Sequence, residues 1–315
     1  MKILVLGGAG FIGRLVLRRF VDLGHDVYCM DINPDKLFFG ESGQSVKVCK
    51  GDISVLHDLL RIMIEIKPDR ILNLAYYLPS SVTAVDDPDY ALRINILGMN
   101  NCFEAARVCG IKRVTYASSL AVYGLQKLNG EKPLDENHKL YGTGLYAASK
   151  IYNEHQAEWF NSAYNMQIVG VRPAHVTGTD KISGSTEHVR CIVEPSLGRP
   201  VVFEYKDNMY ALIHVEDIAE IFVKVTLAES TKFTIYNSGG VTTSLGQLSD
   251  IVKSFLPDSD ISFKKETGGK DLSFIYMMDN TRLQAEFNVV LPPLEQRVKE
   301  MINDIRKREG FTLVK

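Results

Sequence analysis

Apolar runs of four or five residues alternate with longer segments of helical periodicity through the first half of the chain. The runs that predict strands lie at residues 3–6, 27–30, 46–49, 70–74, 113–117 and 167–171, and the main predicted helices lie at about 55–66, 90–109 and 145–163. This alternation is typical of a parallel sheet that is covered by helices on both faces. Beyond residue 172 the chain becomes irregular and rich in Gly, Ser and Thr. The pattern therefore predicts an α/β protein, a doubly wound parallel sheet with a smaller C-terminal region.

A glycine-rich turn, GGAGFIG at residues 7–13, joins the first predicted strand to a helical pattern. Gly7 and Gly10 let backbone N–H groups approach a pyrophosphate, and Gly13 lets the helix pack closely on the strand. The anion then lies at the positive end of the helix dipole. The second predicted strand ends in Asp31, whose carboxylate can bind ribose hydroxyls and repels a 2′-phosphate. The sequence therefore predicts a Rossmann-type site for NAD rather than NADP.

The charge and cysteine content indicate which binding partners and which cellular location to expect. The 315 residues include 36 Lys and Arg against 38 Asp and Glu, which gives a net charge of −2 without a block of one sign. We therefore expect no nucleic acid and no membrane as a partner. The five cysteines are scattered without metal-ligand spacing, so we expect reduced thiols and no metal site. The first strand starts at Lys2 and no apolar run is long enough to span a bilayer, which predicts a soluble cytoplasmic protein.

A tyrosine and a lysine lie four residues apart at the start of the predicted helix 145–163. This spacing places Tyr146 and Lys150 on one face of the helix. A neighbouring ammonium and the positively charged nicotinamide would stabilise the phenolate of Tyr146, which could then exchange a proton with a substrate oxygen. Ser119 follows the fifth predicted strand at the same sheet edge and could hydrogen-bond that oxygen. For the helical pair alone, the alternative is a buried Tyr beside a surface Lys.

With these motifs in order, the sequence resembles the extended short-chain dehydrogenase/reductase family, in its NAD-dependent epimerase/dehydratase branch. The resemblance covers nearly the whole chain and includes the glycine turn, Asp31, Gly51-Asp52-Ile53, Asn73-Leu74-Ala75, Asn95, Ser119, Tyr146 with Lys150, Arg172-Pro173 and residues 213–219. It implies catalysis by Ser119, Tyr146 and Lys150. It also implies contacts to NAD from Gly7, Gly10, Phe11, Ile12, Gly13, Asp31, Asp52, Ile53, Leu74, Ala75, Tyr76, Asn95, Tyr146, Lys150 and Pro173.

The resemblance also implies an organisation of the chain. Residues 1–172, with 213–237 returning to them, are expected to form the NAD-binding Rossmann domain, and 173–212 with 238–315 the substrate-binding region. His214 and Asp217 resemble residues that tie the returning segment to the sheet, and Asn95 resembles one that helps to hold a proton-relay water. Family members commonly pair through their two long helices, so we expect a homodimer. Small and apolar residues at helical spacing could form that contact or pack on the sheet: Cys102, Phe103, Ala105, Ala106, Ala147 and Ala148.

Three positions depart from the sugar-nucleotide members of this family. The segment before residue 213 usually carries an Arg that clamps the substrate's diphosphate, and Tyr210 stands there instead. The usual Asn after the sixth strand is absent, since Ala174-His175 stands there, and a second Arg gives way to residues 268–271, GGKD. These departures argue against a nucleotide-sugar substrate. Charge could still come from Lys206, Arg190 or Arg199.

The candidates for contact with a small-molecule substrate are Ser119, Tyr77, His175 and Tyr210. His175 lies just beyond the sixth strand and could contact substrate or transfer a proton, or it could fill space and donate one hydrogen bond. Tyr76 and Tyr77 could line a pocket, and ordinary packing accounts for them equally well. The pocket could also be reached by Ser80, Ser81 and Thr83.

Three functions follow as alternatives. The first is an oxidoreductase that moves hydride between NAD and a secondary alcohol or its ketone and releases its product. The second is an epimerase or dehydratase that acts on a sugar or sugar nucleotide and holds its cofactor tightly. The third is a non-enzymatic NAD-binding module, and the presence of Ser119, Tyr146 and Lys150 argues against it. The missing phosphate clamps favour the first, while the substrate and the direction of hydride transfer do not follow from the sequence.

Overall fold

The computed structural model describes residues 1–36, 45–78 and 87–315. Up to residue 172 the strands are β1 (Lys2–Leu6), β2 (Asp26–Asp31), β3 (Val46–Lys50), β4 (Arg70–Asn73), β5 (Arg113–Ala117) and β6 (Gln167–Arg172). The helices of this part are α1 (Gly13–Asp22), α2 (Leu56–Ile66), α3 (Pro88–Leu92), α4 (Met99–Val108) and α5 (Gly144–Tyr164). The elements that follow are β7 (His175–Thr177), α6 (Glu187–Ser196), β8 (Val201–Tyr205), β9 (Met209–His214), α7 (Val215–Leu227), β10 (Ile235–Asn237), β11 (Val241–Ser244), α8 (Leu245–Phe255), β12 (Ile261–Lys265), α9 (Thr281–Phe287) and α10 (Leu294–Arg308).

Seven parallel strands form the main sheet, in the order β10-β6-β5-β4-β1-β2-β3. From β1 the chain winds outward through β2 and β3, and it then reverses through β4, β5 and β6. Helices α1 and α7 cover one face with residues such as Phe20 and Phe222, and α2, α4 and α5 cover the other with Leu59, Phe103 and Phe160. The predicted doubly wound fold is therefore confirmed. Its switch point lies between β1 and β4, where ligands bind at the carboxyl edge of such sheets.

The C-terminal region adds two small sheets, β11-β9-β7 and β12-β8. Helices α6, α8 and α10 pack with these sheets around a separate core that includes Phe203. A half-buried ion pair between Arg297 of α10 and Asp217 of α7 ties this region to the helices of the main sheet. His214 accepts a hydrogen bond from the backbone N–H of Glu216 and caps α7. Because β6 continues through Pro173 into β7, the C-terminal region begins at the carboxyl edge of the main sheet.

The predicted helix 90–109 is interrupted by one π-helical turn, Arg93–Gly98, between α3 and α4. The wider turn frees the backbone carbonyl of Asn95, which accepts a hydrogen bond from the Asn153 amide of α5 at 2.9 Å. A Cβ at Gly98 would lie 2.8 Å from Ile53, so this turn also needs a glycine to pack against the segment after β3. The partners that stabilise the turn lie far away in the chain, and hydrophobic periodicity therefore gives no sign of it.

The structure decides between the two interpretations of the small and apolar residues on the long helices. Cys102, Phe103, Ala105, Ala106 and Ala147, which were candidates for an intermolecular contact, are at most 2% exposed. They are buried within the protomer because small and apolar groups at helical spacing fit a sheet as well as a partner helix. Ala148 alone of this set is exposed. Within the described ranges, none of the helices has the length and apolar character needed to cross a membrane.

The glycine turn after β1 depends on close approach between backbone segments. Gly7 has a φ of +73°, and a Cβ on it would lie 2.6 Å from the N and Cα atoms of Ala75. A Cβ on Gly13 would lie 2.6 Å from the carbonyl oxygens of Gly7 and Gly8. Side chains at these positions would push the turn away from both β4 and α1. The turn is therefore restricted to glycine by sterics.

This restriction predicts different costs for two alanine substitutions. Gly24 has a φ of +77° and nothing within 4 Å of a Cβ, so it tests the backbone conformation without a clash. We expect Gly24→Ala to lower the free energy of unfolding by about 1 kcal/mol. Gly7→Ala should lower it by roughly 3 kcal/mol, because overpacking adds to the same strain. Denaturant unfolding measures both, and equal losses would contradict the steric role of Gly7.

Candidate active site

Four chain segments meet at the carboxyl edge of the main sheet. Ser119 follows β5, and the segment 74–78 follows β4. Tyr146 and Lys150 lie in the first turns of α5, and Pro173 follows β6. The backbone N–H of Leu120 donates to the carbonyl of Pro173 at 3.0 Å, which joins the loops after β5 and β6. The loop that carries Ser119 is therefore hydrogen-bonded to the segment that carries Pro173.

Ser119 opens a short 3₁₀ turn at Leu120–Tyr123. Its hydroxyl oxygen accepts a hydrogen bond from the backbone N–H of Ala121 at 3.1 Å. Burial raises the pKa of Tyr146, and the neighbouring Ser119 hydroxyl opposes that increase. The Ser119 hydroxyl is thus close enough to the phenol of Tyr146 to influence its pKa.

Lys150 lies on the same helical face as Tyr146, and it is 2% exposed. Its ammonium donates a hydrogen bond to the carbonyl of Ala117, the last residue of β5, at 2.7 Å. Burial lowers the pKa of Lys150 well below its usual value, and the carboxylate of Glu154 opposes the decrease. The ammonium lies 5.8 Å from the centroid of the Tyr146 ring. The side-chain nitrogen of Lys150 is therefore held beside the ring of Tyr146.

Tyr76 contacts both members of this pair. The ammonium of Lys150 lies 3.2 Å from the centroid of the Tyr76 ring, and the rings of Tyr76 and Tyr146 meet edge-to-face at 5.6 Å. The Tyr76 hydroxyl shares a 2.5 Å hydrogen bond with the hydroxyl of Ser149, and burial raises the pKa of Tyr76. From sequence, Tyr76 was a residue beside the cofactor or in ordinary packing. The contact with Lys150 has no local sequence signal, because the two residues are 74 positions apart.

A buried polar network lies directly behind Ser119 and Lys150. The carboxylate of Glu154 accepts two hydrogen bonds from Arg172, at 2.8 and 2.6 Å, and one from the hydroxyl of Ser118 at 2.5 Å. Arg172 also donates to the hydroxyl oxygen of Tyr123 at 2.5 Å. Sequence reasoning did not find Glu154, although it follows Lys150 by one helical turn and so shares its face. The network connects α5 to the ends of β5 and β6.

The glycine turn has the features that a dinucleotide requires. Gly7, Gly10 and Gly13 carry no side chains where the turn meets the N-terminus of α1, the end of a helix that favours anions. The half-exposed carboxylate of Asp31 accepts hydrogen bonds from the backbone N–H groups of Ala9 and Asn33, both at 3.0 Å. Asp31 therefore lies at the rim of the turn, where an adenosine ribose is expected. The residues present fit NAD.

Other predicted cofactor contacts have clear local roles. Asn95 accepts a hydrogen bond from the backbone N–H of Tyr77 at 2.8 Å and donates to the carbonyl of the same residue at 3.0 Å. Asp52 accepts hydrogen bonds from the backbone and hydroxyl of Ser54, both at 2.8 Å. Ile53 and Pro173 are buried, and Phe11, Ile12, Leu74 and Ala75 are half-buried around the turn. Asn95 thus fixes the backbone that follows β4, and the Tyr77 ring packs against Tyr90.

The substrate candidates His175 and Tyr210 pack against each other, with ring centroids 5.2 Å apart and planes at 85°. The Tyr210 hydroxyl donates to the carboxylate of Glu187 at 2.7 Å, and the Asn208 amide donates to the same oxygen at 2.8 Å. Burial lowers the pKa of His175 to about 3, so its imidazole is neutral at physiological pH. The position that carries an Arg in sugar-nucleotide members therefore carries a neutral phenol beside a carboxylate.

The other candidate cations have partners away from this cluster. Arg190 lies over Phe203, Arg199 lies 3.9 Å from Glu194, Lys206 pairs with Glu266 at 2.9 Å, and Lys270 pairs with Glu131 at 3.1 Å. In the part of the chain that the structure describes, none of these four forms a hydrogen bond or ion pair with His175 or Tyr210. Ser80, Ser81 and Thr83 lie outside the described residues.

Comparison with known proteins identifies the family. Residues 3–239 match the model of the NAD dependent epimerase/dehydratase family. The chain belongs to this family. It is therefore an NAD-dependent enzyme, an oxidoreductase of the extended short-chain dehydrogenase/reductase type. The predicted family and cofactor are confirmed.

Relatives within the family differ in their named activities. A UDP-glucose 4-epimerase from Mycolicibacterium smegmatis is 29% identical over 232 residues, which are 71% of this chain and 72% of the relative. The structure of a Thermus thermophilus UDP-glucose 4-epimerase in complex with NAD has a TM-score of 0.82 at 21% identity, and covers 97% of this chain and 99% of that chain. An L-threonine dehydrogenase from Clostridium difficile has a TM-score of 0.84 at 19% identity, with 98% of each chain covered. At these identities the structural likeness establishes the fold alone.

Proposed function

We propose that this enzyme oxidises a secondary alcohol, or reduces the corresponding ketone, with Tyr146 as the proton acceptor and donor. The single observation that carries the proposal is the burial of Lys150 on the helical face of Tyr146, where its ammonium is bonded to the carbonyl of Ala117, two residues before Ser119. Residues 1–172 with 213–237 would bind the cofactor. Residues 173–212 and 238–315 would bind the substrate.

In the oxidising direction, Ser119 donates a hydrogen bond to the substrate oxygen and Tyr146 takes the proton of its hydroxyl. The carbon that carries this oxygen loses a hydride and becomes a carbonyl carbon. NAD, when bound, supplies the hydride acceptor. Burial raises the pKa of Tyr146, so its phenolate forms only if nearby positive charge stabilises it. We propose that Lys150 supplies this charge, because the carboxylate of Glu154 opposes the effect of burial and favours the ammonium form.

Net oxidation is favoured over epimerisation of a sugar nucleotide because Tyr210 supplies no positive charge. A diphosphate carries about two negative charges, and the neutral phenol of Tyr210, which donates to Glu187, cannot balance them as an arginine would. The relatives named UDP-glucose 4-epimerase support the alternative, an epimerase or dehydratase that retains its cofactor. The two functions differ in a direct measurement, because only net oxidation accumulates NADH in proportion to the alcohol consumed. An NAD-loaded protein that interconverts a sugar nucleotide without NADH release would establish the alternative.

A homodimer is supported by an apolar stripe on the long helices. Leu145, Tyr152 and Trp159 are spaced by seven residues on α5, and each is more than half exposed. Leu92 and Val108 of the neighbouring helix pair are also more than half exposed, at 55% and 56%. Exposed apolar side chains in a continuous stripe are typical of a contact surface. We propose that a second copy of the chain covers it, in an isologous interface.

We also propose that the protein acts in the cytoplasm. Its five cysteines are free thiols in the structure: Cys29, Cys49, Cys102, Cys109 and Cys191. Free thiols are typical of proteins in reducing compartments.

Replacing the phenol hydroxyl tests the proposed acid–base group. Tyr146→Phe should retain the fold and NAD affinity while lowering turnover by roughly 10²–10⁴-fold, the usual contribution of a positioned general acid or base. Ser119→Ala should mainly lower turnover. Lys150→Met should lower both turnover and NAD affinity, because the ammonium is expected to bind the nicotinamide ribose. Tyr164→Phe, at the exposed end of the same helix, is the matched control.

The pH profile gives a second readout of the same group. The rate of alcohol oxidation should rise with pH until Tyr146 is deprotonated. Removal of the ammonium in Lys150→Met destabilises the phenolate, so the rise should move to higher pH. Near-normal turnover in Tyr146→Phe would contradict the mechanism and favour another proton acceptor.

Asp31 should determine the preference for NAD. Asp31→Ala removes acceptors for two ribose hydroxyls, so NAD affinity should fall by roughly 10–100-fold. NADP affinity should rise or stay constant, because the 2′-phosphate no longer meets a carboxylate. Asp35→Ala removes a nearby exposed acid and is the control for net charge. Titration with both cofactors checks the prediction, and a wild-type preference for NADP would contradict it.

The apolar stripe predicts the mass of the protein in solution. At micromolar concentration, wild type should have twice the chain mass of 35.3 kDa. Tyr152→Glu places a charge in the proposed contact and should produce the monomer, because an unpaired charge is costly to bury. Ile64→Glu, at an exposed position on α2, should leave the dimer intact. Light scattering measures all three, and a monomeric wild type would overturn the proposed assembly.

A further inference from the structure

Lys181 is a cation that the proposed chemistry does not use. It lies in the loop 178–186 between β7 and α6, and its side chain folds back so that the ammonium donates to the carbonyl of Val176 at 2.9 Å. Among the described residues, no carboxylate oxygen lies within 4 Å of this ammonium. Asp180, next to it in the chain, pairs instead with Arg14 and Arg308. The ammonium is therefore hydrogen-bonded but lacks a counter-ion in this part of the structure.

The loop that carries Lys181 contacts two segments that border the candidate active site. At its start, a Cβ on Gly178 would lie 2.7 Å from the ring of Phe11 in the cofactor turn. Near its end, a Cβ on Gly184 would lie 3.0 Å from Leu78, in the segment that follows Tyr76 and Tyr77. Between these contacts the Lys181 ammonium rests on β7. This strand begins two residues after Pro173, whose carbonyl is bonded to the residue after Ser119.

The groups that face Lys181 leave its charge uncompensated. His188 of α6 lies 3.2 Å from the same Val176 carbonyl, and His175 of β7 is close enough for the ammonium to lower its pKa further. Both imidazoles are neutral at physiological pH, and the Nδ1 atom of each is buried without a hydrogen-bond partner among the described residues. The nearby carboxylate of Glu187 is bonded to Tyr210 and Asn208. Burial lowers the pKa of Lys181 to about 8, which leaves it largely protonated at neutral pH.

We propose that Lys181 binds a carboxylate of the substrate, which makes the substrate a small hydroxy acid with one negative charge at this end. This inference rests on the proposed oxidation of a secondary alcohol, and it names the class of that alcohol. One ammonium balances one carboxylate, whereas a diphosphate needs further cations that His175 and Tyr210 do not supply. The two neutral imidazoles are polar neighbours that a hydroxyl-bearing acid can hydrogen-bond.

The test compares molecules that differ in charge and little else. Hydroxy acids of two to six carbons, each paired with its primary amide, are offered to the NAD-loaded protein in calorimetry, and NADH formation is followed by absorbance. We expect at least one acid to bind at least tenfold more tightly than its amide. The ratio of acid affinity to amide affinity should fall as pH rises and Lys181 loses its proton. Tyr146 affects the turnover of acid and amide alike, so its titration cancels when their rates are compared.

Substitutions then assign the charge to one residue. Lys181→Met should weaken binding of the best acid by roughly 10²-fold, the usual effect of removing one partner of a partly desolvated charge pair. Binding of NAD and of the amide should be unchanged. Lys181→Arg should restore most of the acid affinity, since it restores the charge. Lys264→Met removes an exposed lysine that pairs with Glu204, and it should have no effect.

The results that would contradict the Lys181 assignment differ from those that would contradict the proposed oxidation. The assignment is overturned if no acid in the series binds, if an amide or a phosphate monoester binds as tightly as the acid, or if Lys181→Met leaves acid affinity unchanged. Charge-selective binding that depends on Lys181 but yields no NADH would contradict the proposed oxidation and leave the carboxylate site in place.

Discussion

The buried ion pair between Glu154 and Arg172 is the interaction on which the arrangement of the candidate active site depends. It joins α5 to β6, and through the hydroxyl of Ser118 it also reaches the end of β5. Withdrawing two such charges from water costs several kcal/mol per ion, and the cost is offset only when the geometry and the remaining hydrogen bonds are complete. Here both oxygens of Glu154 accept hydrogen bonds, and Arg172 also donates to Tyr123. The pair therefore fixes one relative position of three elements.

The ion pair also positions the proposed catalytic residues, because they lie next to its members in the chain. Lys150 precedes Glu154 by one turn of α5, and Ser119 follows Ser118 at the end of β5. The ammonium of Lys150 adds a second link between the same two elements through the carbonyl of Ala117. A comparable arrangement holds the segment after β4, where Asn153 binds the π-helical turn and Asn95 binds the backbone of Tyr77. Side chains held on rigid elements in this way lose little of the orientation that proton and hydride transfer require.

The parts of this site that follow from neighbours in the chain could be predicted from the sequence. The glycine turn and the four-residue spacing of Tyr146 and Lys150 are local patterns, and each has a direct steric or helical consequence. The ring of Tyr76 over Lys150 and the ammonium of Lys181 beside His188 depend on tertiary packing between distant segments, and no local pattern specifies them. The small residues of α4 show that a local pattern can also be ambiguous, because theirs fits packing on a sheet and packing on a partner helix equally well.

Arg172 ends β6 and Lys181 is bonded to β7, and the two cations differ in how their charges are balanced. The charge of Arg172 is balanced by the carboxylate of Glu154, so Arg172 needs no negatively charged ligand. Lys181 is bonded to a carbonyl dipole, which carries no net charge and leaves the Coulomb balance incomplete. The groups proposed to act on the alcohol carbon lie just after β5 and on α5, whereas the residues proposed to select the rest of the substrate, Lys181 and Tyr210, lie in the loop after β7 and on β9. If these proposed roles hold, the substrate class can change within one family through residues such as Lys181 and Tyr210 while the proposed chemistry at Tyr146 stays the same.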